Sequence, residues 1–228
     1  NILFKSKEED MKLVNGYDLM DYAKRYHLIL PAFNTTNLET TYGIVKGLAK
    51  AGLPGYIQIS SSNLRLSNPH TIAAIAKESV KEVDVPIALH LDHGKSFEDV
   101  KVCCDAGFTS IMVDNSALPY EENVRESRKA AEYCHLYGVP VEVELGSIQG
   151  KEEDIVNEEN CKTDPQMVND FAEKTGCDLL AVSIGNVHGL CLNPHIDMPL
   201  LREINKVSPV PLVLHGGSGI ASEVIWEA

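Results

Sequence analysis

Along the chain, short apolar runs alternate with longer stretches in which apolar residues recur three and four positions apart. The runs are LILPAFN (28–34), GYIQIS (55–60), VPIALHLD (85–92), TSIMVD (109–114), VPVEVELG (139–146), DLLAVSIG (178–185) and VPLVLHGG (210–217). Each has strand length, is rich in β-branched residues and reads as a β-strand. Between them, LETTYGIVKGLAKAG, PHTIAAIAKESVKEV, SFEDVKVCCDAG, YEENVRESRKAAEYCHLYG, DPQMVNDFAEKTG and MPLLREINKVS carry helical periodicity. Several of these end in Gly or run into a Pro that opens the next strand, as helices stop. Strand, helix and strand in regular succession imply parallel βαβ units.

The expected fold class is therefore α/β. A doubly wound dinucleotide sheet would place a GxGxxG turn after an early strand, and the sequence has none there. Seven mostly apolar strands fit a (β/α)8 TIM barrel instead. The expected barrel lacks the eighth strand and the C-terminal helices, because the sequence stops at Ala228 inside the seventh helix. The expected organisation is an N-terminal extension over 1–10 and a single barrel domain over 11–228, incomplete at its C-terminus.

Polar residues interrupt the apolar pattern at one kind of place. In a TIM barrel the chemistry sits at the C-terminal ends of the strands. By that rule the first strand ends in Asn34, the second in Ser60, Ser61 and Ser62, and the third in His90, Asp92 and His93. The fourth ends in Asp114 and the fifth in Glu142 and Glu144; the sixth is followed by Asn186 and His188. The seventh ends in His215, followed by Gly216, Gly217, Ser218 and Gly219.

His93, His188 and His215 follow three different strands. Three neutral imidazoles with an open fourth position make a catalytic zinc site, where the metal polarises a carbonyl or activates water. Taken singly, each is equally a hydrogen-bonded residue at a strand end; three at equivalent rim positions, one beside an Asp, favour a metal. In a regular strand His90 shares a face with Asp92, opposite to His93, and is assigned a supporting or interior role, not a ligand's. His27, His70, His135 and His195 fall in helices or connections and are expected at the surface. HGGSG, leading into a helix, offers backbone NH groups to a phosphate, though it also serves as a plain strand-to-helix turn. GSIQG followed by KEED reads as a mobile loop that can carry a proton-transferring carboxylate, against the blander reading of a solvated acidic turn.

Composition narrows the partners. Net charge is −13 and the pI about 5.0, which argues against nucleic acid and anionic membranes. An acidic chain still binds phosphorylated metabolites if its site is locally positive. Its six cysteines form no CxxC pair and read as free thiols in a reducing cytosol. The first residues are too charged for a signal peptide, and no apolar stretch reaches membrane-spanning length. A soluble cytoplasmic protein is expected.

The stretches LHLDHGKSFED, AGFTSIMVDNS, PYEENV, VEVELGSIQGKEED, VSIGNVHG and PLVLHGGSGI together resemble the class II, zinc-dependent fructose-bisphosphate aldolases. More closely, they resemble the branch that also holds tagatose-bisphosphate aldolases. The likeness runs from about Lys12 to Ile220, in the family's motif order. It implies His93, His188 and His215 as ligands of Zn2+. Asp92 would be the acid/base at the substrate C4 oxygen, and Glu152 would exchange the proton on the three-carbon fragment. Gly189, Gly216, Gly217 and Ser218 would hold the dihydroxyacetone phosphate end, with a monovalent cation (Na+ or K+) nearby. Asn34 and Ser60 match positions near the substrate; Asp114 and Glu144 match carboxylates near the metal, as supports or alternate ligands. The implied assembly is a homodimer or homotetramer, and the implied setting is glycolysis or related carbohydrate metabolism. Gln149 stands where relatives usually carry glycine, and the eighth strand's Asn and hydroxyl residue for phosphate have no counterpart.

The expected activity is reversible cleavage of fructose 1,6-bisphosphate to dihydroxyacetone phosphate and glyceraldehyde 3-phosphate. Alternatives are tagatose 1,6-bisphosphate or another ketose phosphate as substrate, and an inactive fragment that binds metal only. A zinc hydrolase is disfavoured, because His90 and His93 lack the HxH spacing such sites use.

Overall fold

A computed structural model describes residues 13–152, 155–157, 162–189, 191 and 194–228, with backbone alone for 149–152 and 155–157. The chain divides into two compact units. One holds the described residues up to Met112 together with Cys134–Pro140; the other holds Val113–Tyr133 and the described residues from Val141 to Ala228.

The first unit contains α1 (Gly16–Tyr26), β1 (Ala32–Asn34), α2 (Leu38–Ala51), β2 (Gly55–Ser60), the single turn α3 (Ser61–Leu64), α4 (Pro69–Ser79), β3 (Ile87–Gly94) and α5 (Phe97–Ala106), and runs into β4 (Ser110–Val113). Strands β1, β2, β3 and β4 are neighbours in that order. The β1/β2 and β2/β3 pairs are parallel, and their register sets Gln58 beside His90 and Ser60 beside Asp92. All eight residues of β3 are buried, polar ones included. Helices α2 and α4 turn Val45 and Leu48, and Ile72, Ala73 and Ala76, into the core, at the spacing of one helical face. Asn37 and Ser96 cap α2 and α5 at their N-termini, and Gly52 and Gly107 end them in the left-handed conformation. Helix α1 begins against the strand starts, where Val14 N donates to Ile87 O and Gly16 N to Thr109 O, each at 2.9 Å. A Cβ on Gly16 would lie 2.6 Å from Pro140 Cγ, so only glycine permits that approach.

The second unit contains α6 (Tyr120–Leu136, whose last residues fall in the first unit), β5 (Val141–Leu145), β6 (Gln149–Glu152), β7 (Ile155–Asn157), α7 (Pro165–Thr175), β8 (Leu179–Val182), β9 (Val187–His188), α8 (Met198–Val207), β10 (Leu212–Val213) and α9 (Ser222–Glu227). Strands β5, β8 and β10 are successive parallel neighbours. A small separate sheet has the order β7-β6-β9. On α7 the buried residues are Val168, Phe171, Ala172 and Thr175, an i, i+3, i+4, i+7 stripe, with Asp164 as N-cap and Gly176 as C-cap.

The expected α/β class is borne out: each of the seven apolar runs contains a strand and each of the six periodic stretches a helix. One local difference concerns the segment expected as a mobile loop. Gln149–Glu152 and Ile155–Asn157 pair as an antiparallel hairpin instead, with Glu152 opposite Ile155. The expected extension over 1–10 lies outside the described residues. No described helix is long and apolar enough to cross a membrane.

Candidate active site

In the first unit the polar cluster is built on β1, β2 and β3. Asp92 is fully buried, yet one of its oxygens is well solvated by protein: Asn34 Nδ2 donates to Oδ2 at 3.1 Å and Gln58 Nε2 at 3.0 Å. Gln58 Nε2 also donates to Asn34 Oδ1 at 2.8 Å, so the two amides brace each other. Strand register produces this triangle, because Asn34 and Gln58 are direct partners across β1/β2, Gln58 pairs with His90 on β3, and Asp92 lies two residues beyond His90. A buried carboxyl group needs donors in place of its lost water, and these two amides supply them at Oδ2. The other oxygen, Oδ1, lies 3.8 Å from His93 Nε2.

His93 departs from strand geometry. Its φ of 46° puts it in the left-handed region, which β-bonded residues other than glycine seldom enter. The alternation that would send His93 to the face opposite Asp92 is broken at this residue. Ser61 Oγ donates to His93 O at 2.9 Å and holds the turned backbone. Gly94 is required next: a Cβ there would lie 2.7 Å from Met112 O and 2.8 Å from Leu91 Cδ2. His90 is occupied otherwise, with Nδ1 at 2.8 Å from Ser110 Oγ and its ring edge-on to Tyr56. Ser60, also buried, serves as the N-cap of α3 and lies 3.2 Å from Ser62 Oγ.

The second unit carries the other candidate histidines. His188 on β9 and His215 after β10 are both buried, with ring centroids 5.9 Å apart. Glu142 Oε1 lies 2.7 Å from His215 Nε2. Asn186, fully buried, donates from Nδ2 to His215 O at 3.1 Å and accepts from Ile184 N at 2.9 Å, fixing the backbone on both sides. Gly216 has φ 72°, and a Cβ there would lie 2.5 Å from Val187 O, so glycine lets the His215 turn pack against β9. Gly217 and exposed Ser218 form a short 3-10 turn with their amides at a bend, while Gly189, exposed, has φ 85°. Glu144 is buried on β5, and its carbonyl accepts from Asn123 Nδ2 at 3.0 Å. Asp114 closes its own turn, accepting from Ser116 N at 3.0 Å and Ser116 Oγ at 2.6 Å. Glu152 ends β6, and its side chain lies outside the described residues.

The donors fit a borderline-soft metal such as zinc. A carboxylate at His215 Nε2 favours the tautomer with hydrogen on that nitrogen, which presents Nδ1 as a lone-pair donor, and carboxylate-backed imidazoles are the usual metal-binding form. One residue of each cluster carries a contact that the sequence does not reveal. Gln58 is one amide in an apolar strand; its two-residue offset from Ser60 was the available signal. Glu142 stood at a predicted strand end without a role, because its partner lies 73 residues away.

The family model described as fructose-bisphosphate aldolase class-II matches residues 14–228. A fructose-bisphosphate aldolase of Treponema pallidum is 39% identical over 238 residues, covering 94% of this chain and 72% of that protein. One from Geobacillus stearothermophilus is 38% identical over 222 residues, covering 96% and 77% respectively. Among solved structures, the YdjI aldolase of Escherichia coli K12 superposes with a TM-score of 0.83 at 31% identity, covering 94% of this chain and 77% of that one.

Proposed function

The chain belongs to the class II fructose-bisphosphate aldolase family, and from that premise we propose that it is a zinc-dependent aldolase cleaving fructose 1,6-bisphosphate reversibly to dihydroxyacetone phosphate and glyceraldehyde 3-phosphate. The observation that carries the reading is the Asp92–His93 pair: a fully buried carboxyl, hydrogen-bonded by two amides, 3.8 Å from an imidazole on a turned backbone. Proton transfer beside a metal needs that adjacency, and Gly94 leaves the backbone room for it.

His93, His188 and His215 would hold the zinc. Bound zinc would supply Lewis acidity at the ketone and neighbouring hydroxyl oxygens of the ketose, where charge develops as the carbon–carbon bond breaks. Asp92 takes the proton from the C4 hydroxyl as the C3–C4 bond breaks, the electron pair staying with the three-carbon fragment. In the reverse direction it returns that proton. Asn34 and Gln58 keep the carboxylate oriented in both states. Glu152 exchanges the proton at the fragment's C3 carbon. Gly189 and the amides of Gly216, Gly217 and Ser218 bind its phosphate, Asn34 and Ser60 line the substrate, and the backbone around the glycines would host a monovalent cation, Na+ or K+, that offsets phosphate charge. Asp114 and Glu144 stand as supports or alternate metal ligands. A homodimer or homotetramer in the cytoplasm, serving glycolysis, completes the reading; the buried free thiols agree with a reducing compartment.

The test is aldol cleavage with enzymatic trapping of the triose phosphates, on chelated protein and again after zinc is returned. Cleavage that disappears and returns supports the reading, and Asp92→Asn should lower kcat by about 10²- to 10⁴-fold, the usual worth of a positioned acid/base. Folded, zinc-loaded protein that leaves fructose 1,6-bisphosphate untouched but cleaves tagatose 1,6-bisphosphate would move the substrate assignment. Protein that cleaves neither would refute the activity.

A further inference from the structure

Two thiols that the aldolase chemistry does not use lie within reach of one another. Cys104 is in the last turn of α5 and Cys134 in the last turn of α6, both within the first unit, and their sulfurs are 3.6 Å apart. A disulfide needs about 2.05 Å between sulfurs, so the gap to close is about 1.6 Å. The two helix ends are already tied together. Tyr137 Oη donates to Asp105 Oδ1 at 2.7 Å, joining the residue after Cys104 to a residue three past Cys134.

The pair is also asymmetric. Cys134 is fully buried, whereas Cys104 keeps a small exposed surface. A hydrogen bond from the Cys134 thiol holds the Cys104 thiol below its ordinary pKa, against the opposing effect of burial. The thiolate is the reactive form of cysteine, so Cys104 is the nucleophile of the two. Its neighbour Cys103 is fully buried and pushed well up by desolvation, and Cys177 in the second unit is pushed up to about 11 by the same cause. Those two are inert packing residues.

We propose that Cys104 and Cys134 are an oxidant-responsive thiol pair that closes to a disulfide when the protein meets a peroxide. The Cys104 thiolate attacks one peroxide oxygen; the O–O bond breaks, hydroxide leaves and takes up a proton as water, and Cys104 becomes a sulfenic acid. The Cys134 sulfur then attacks the Cys104 sulfur. The S–O bond breaks and the hydroxyl departs as water with the Cys134 proton. In sum, two thiols and one hydrogen peroxide give one disulfide and two waters, the peroxide receiving both electrons.

The experiment treats the full chain with graded hydrogen peroxide, quenches it, alkylates remaining thiols in denaturant and maps the digest by mass spectrometry. The expected product is a Cys104–Cys134 cross-linked peptide that dithiothreitol abolishes. In Cys134→Ser the Cys104 sulfenic acid should accumulate and react with dimedone, and in Cys104→Ser Cys134 should stay reduced. Quantitative alkylation of both residues at a peroxide dose that has oxidised half of the more exposed Cys191 overturns the proposal. So does a dominant link through Cys103, or an intermolecular link through Cys104. The wild-type map decides the question even if a variant fails to fold.

Discussion

Removing the carboxylate behind His215 is the sharpest way to test how the second unit prepares its histidines. Glu142 Oε1 and His215 Nε2 are 2.7 Å apart, with side chains only 4% and 8% exposed. A charge-assisted hydrogen bond in such a place is worth about 1.5–3 kcal/mol. If that energy is spent on fixing the imidazole's tautomer and orientation, its loss appears in whatever needs the orientation. At 1.36 kcal/mol per factor of ten, Glu142→Leu should weaken zinc binding by about 10- to 150-fold. Glu142→Gln keeps an acceptor of the same shape without the charge and should fall between Leu and wild type. The assay is competition for zinc against a chromogenic chelator, on protein shown to be folded by circular dichroism. A Leu variant that binds zinc within threefold of wild type would refute the reasoning, because packing and the Asn186 contact to the His215 carbonyl would then suffice to hold the ring.

Three further outcomes are expected. Gly94→Ala should cost about 1–3 kcal/mol in urea unfolding, since the new Cβ meets the Met112 carbonyl at 2.7 Å and a backbone atom cannot step aside; an unchanged midpoint would mean that β3 shifts freely. Asn123→Ala removes a donor to the Glu144 carbonyl and an acceptor for Ser127 Oγ, both buried, and should cost about 1–3 kcal/mol in the same assay. The Lys162 ammonium, hydrogen-bonded to Asp197, holds that carboxyl below the usual carboxylate range, with the Leu200 amide assisting. Because the folded pKa is depressed, Asp197's contribution to stability is present above the ordinary carboxylate pKa and is lost as pH falls through the lower folded value. Carbon-detected NMR titration should find the Asp197 midpoint moving upward in Lys162→Met; an unmoved midpoint would show that the helix cap alone sets it.

The strands and helices were legible in sequence because burial and capping write themselves into residue types. Helix ends were the clearest, since Asn37, Ser96 and Asp164 at one end and Gly52, Gly107 and Gly176 at the other satisfy the backbone groups that a helix leaves over. Strand ends were less clear. The run 28–34 yields only Ala32–Asn34, after Pro31, which has no amide to give, and after exposed Leu28 and Ile29. The hairpin was missed because Gly146, Gly150 and a string of charges look like solvated turn, and its pairing partner on β9 is remote in sequence. In the candidate site, Asp92 and His93 announced themselves as ionisable residues in an apolar run. The left-handed backbone of His93 did not, because residue type alone seldom predicts that conformation outside glycine. The partners Gln58 and Glu142 stayed silent for a related reason: a hydrogen bond across tens of residues leaves no local mark.

The small sheet has a mechanical consequence. Gly150 on β6 is the backbone partner of His188 on β9, and two residues beyond Gly150 the same strand ends in Glu152. That rung ties the backbone at His188 to the backbone of the strand that ends in Glu152. An ion bound at the His188 imidazole would, through that rung, also restrain the backbone of β6 at Gly150. Amide hydrogen exchange over 149–152 should slow when zinc is added, making the hairpin a gauge of whether the histidine is engaged.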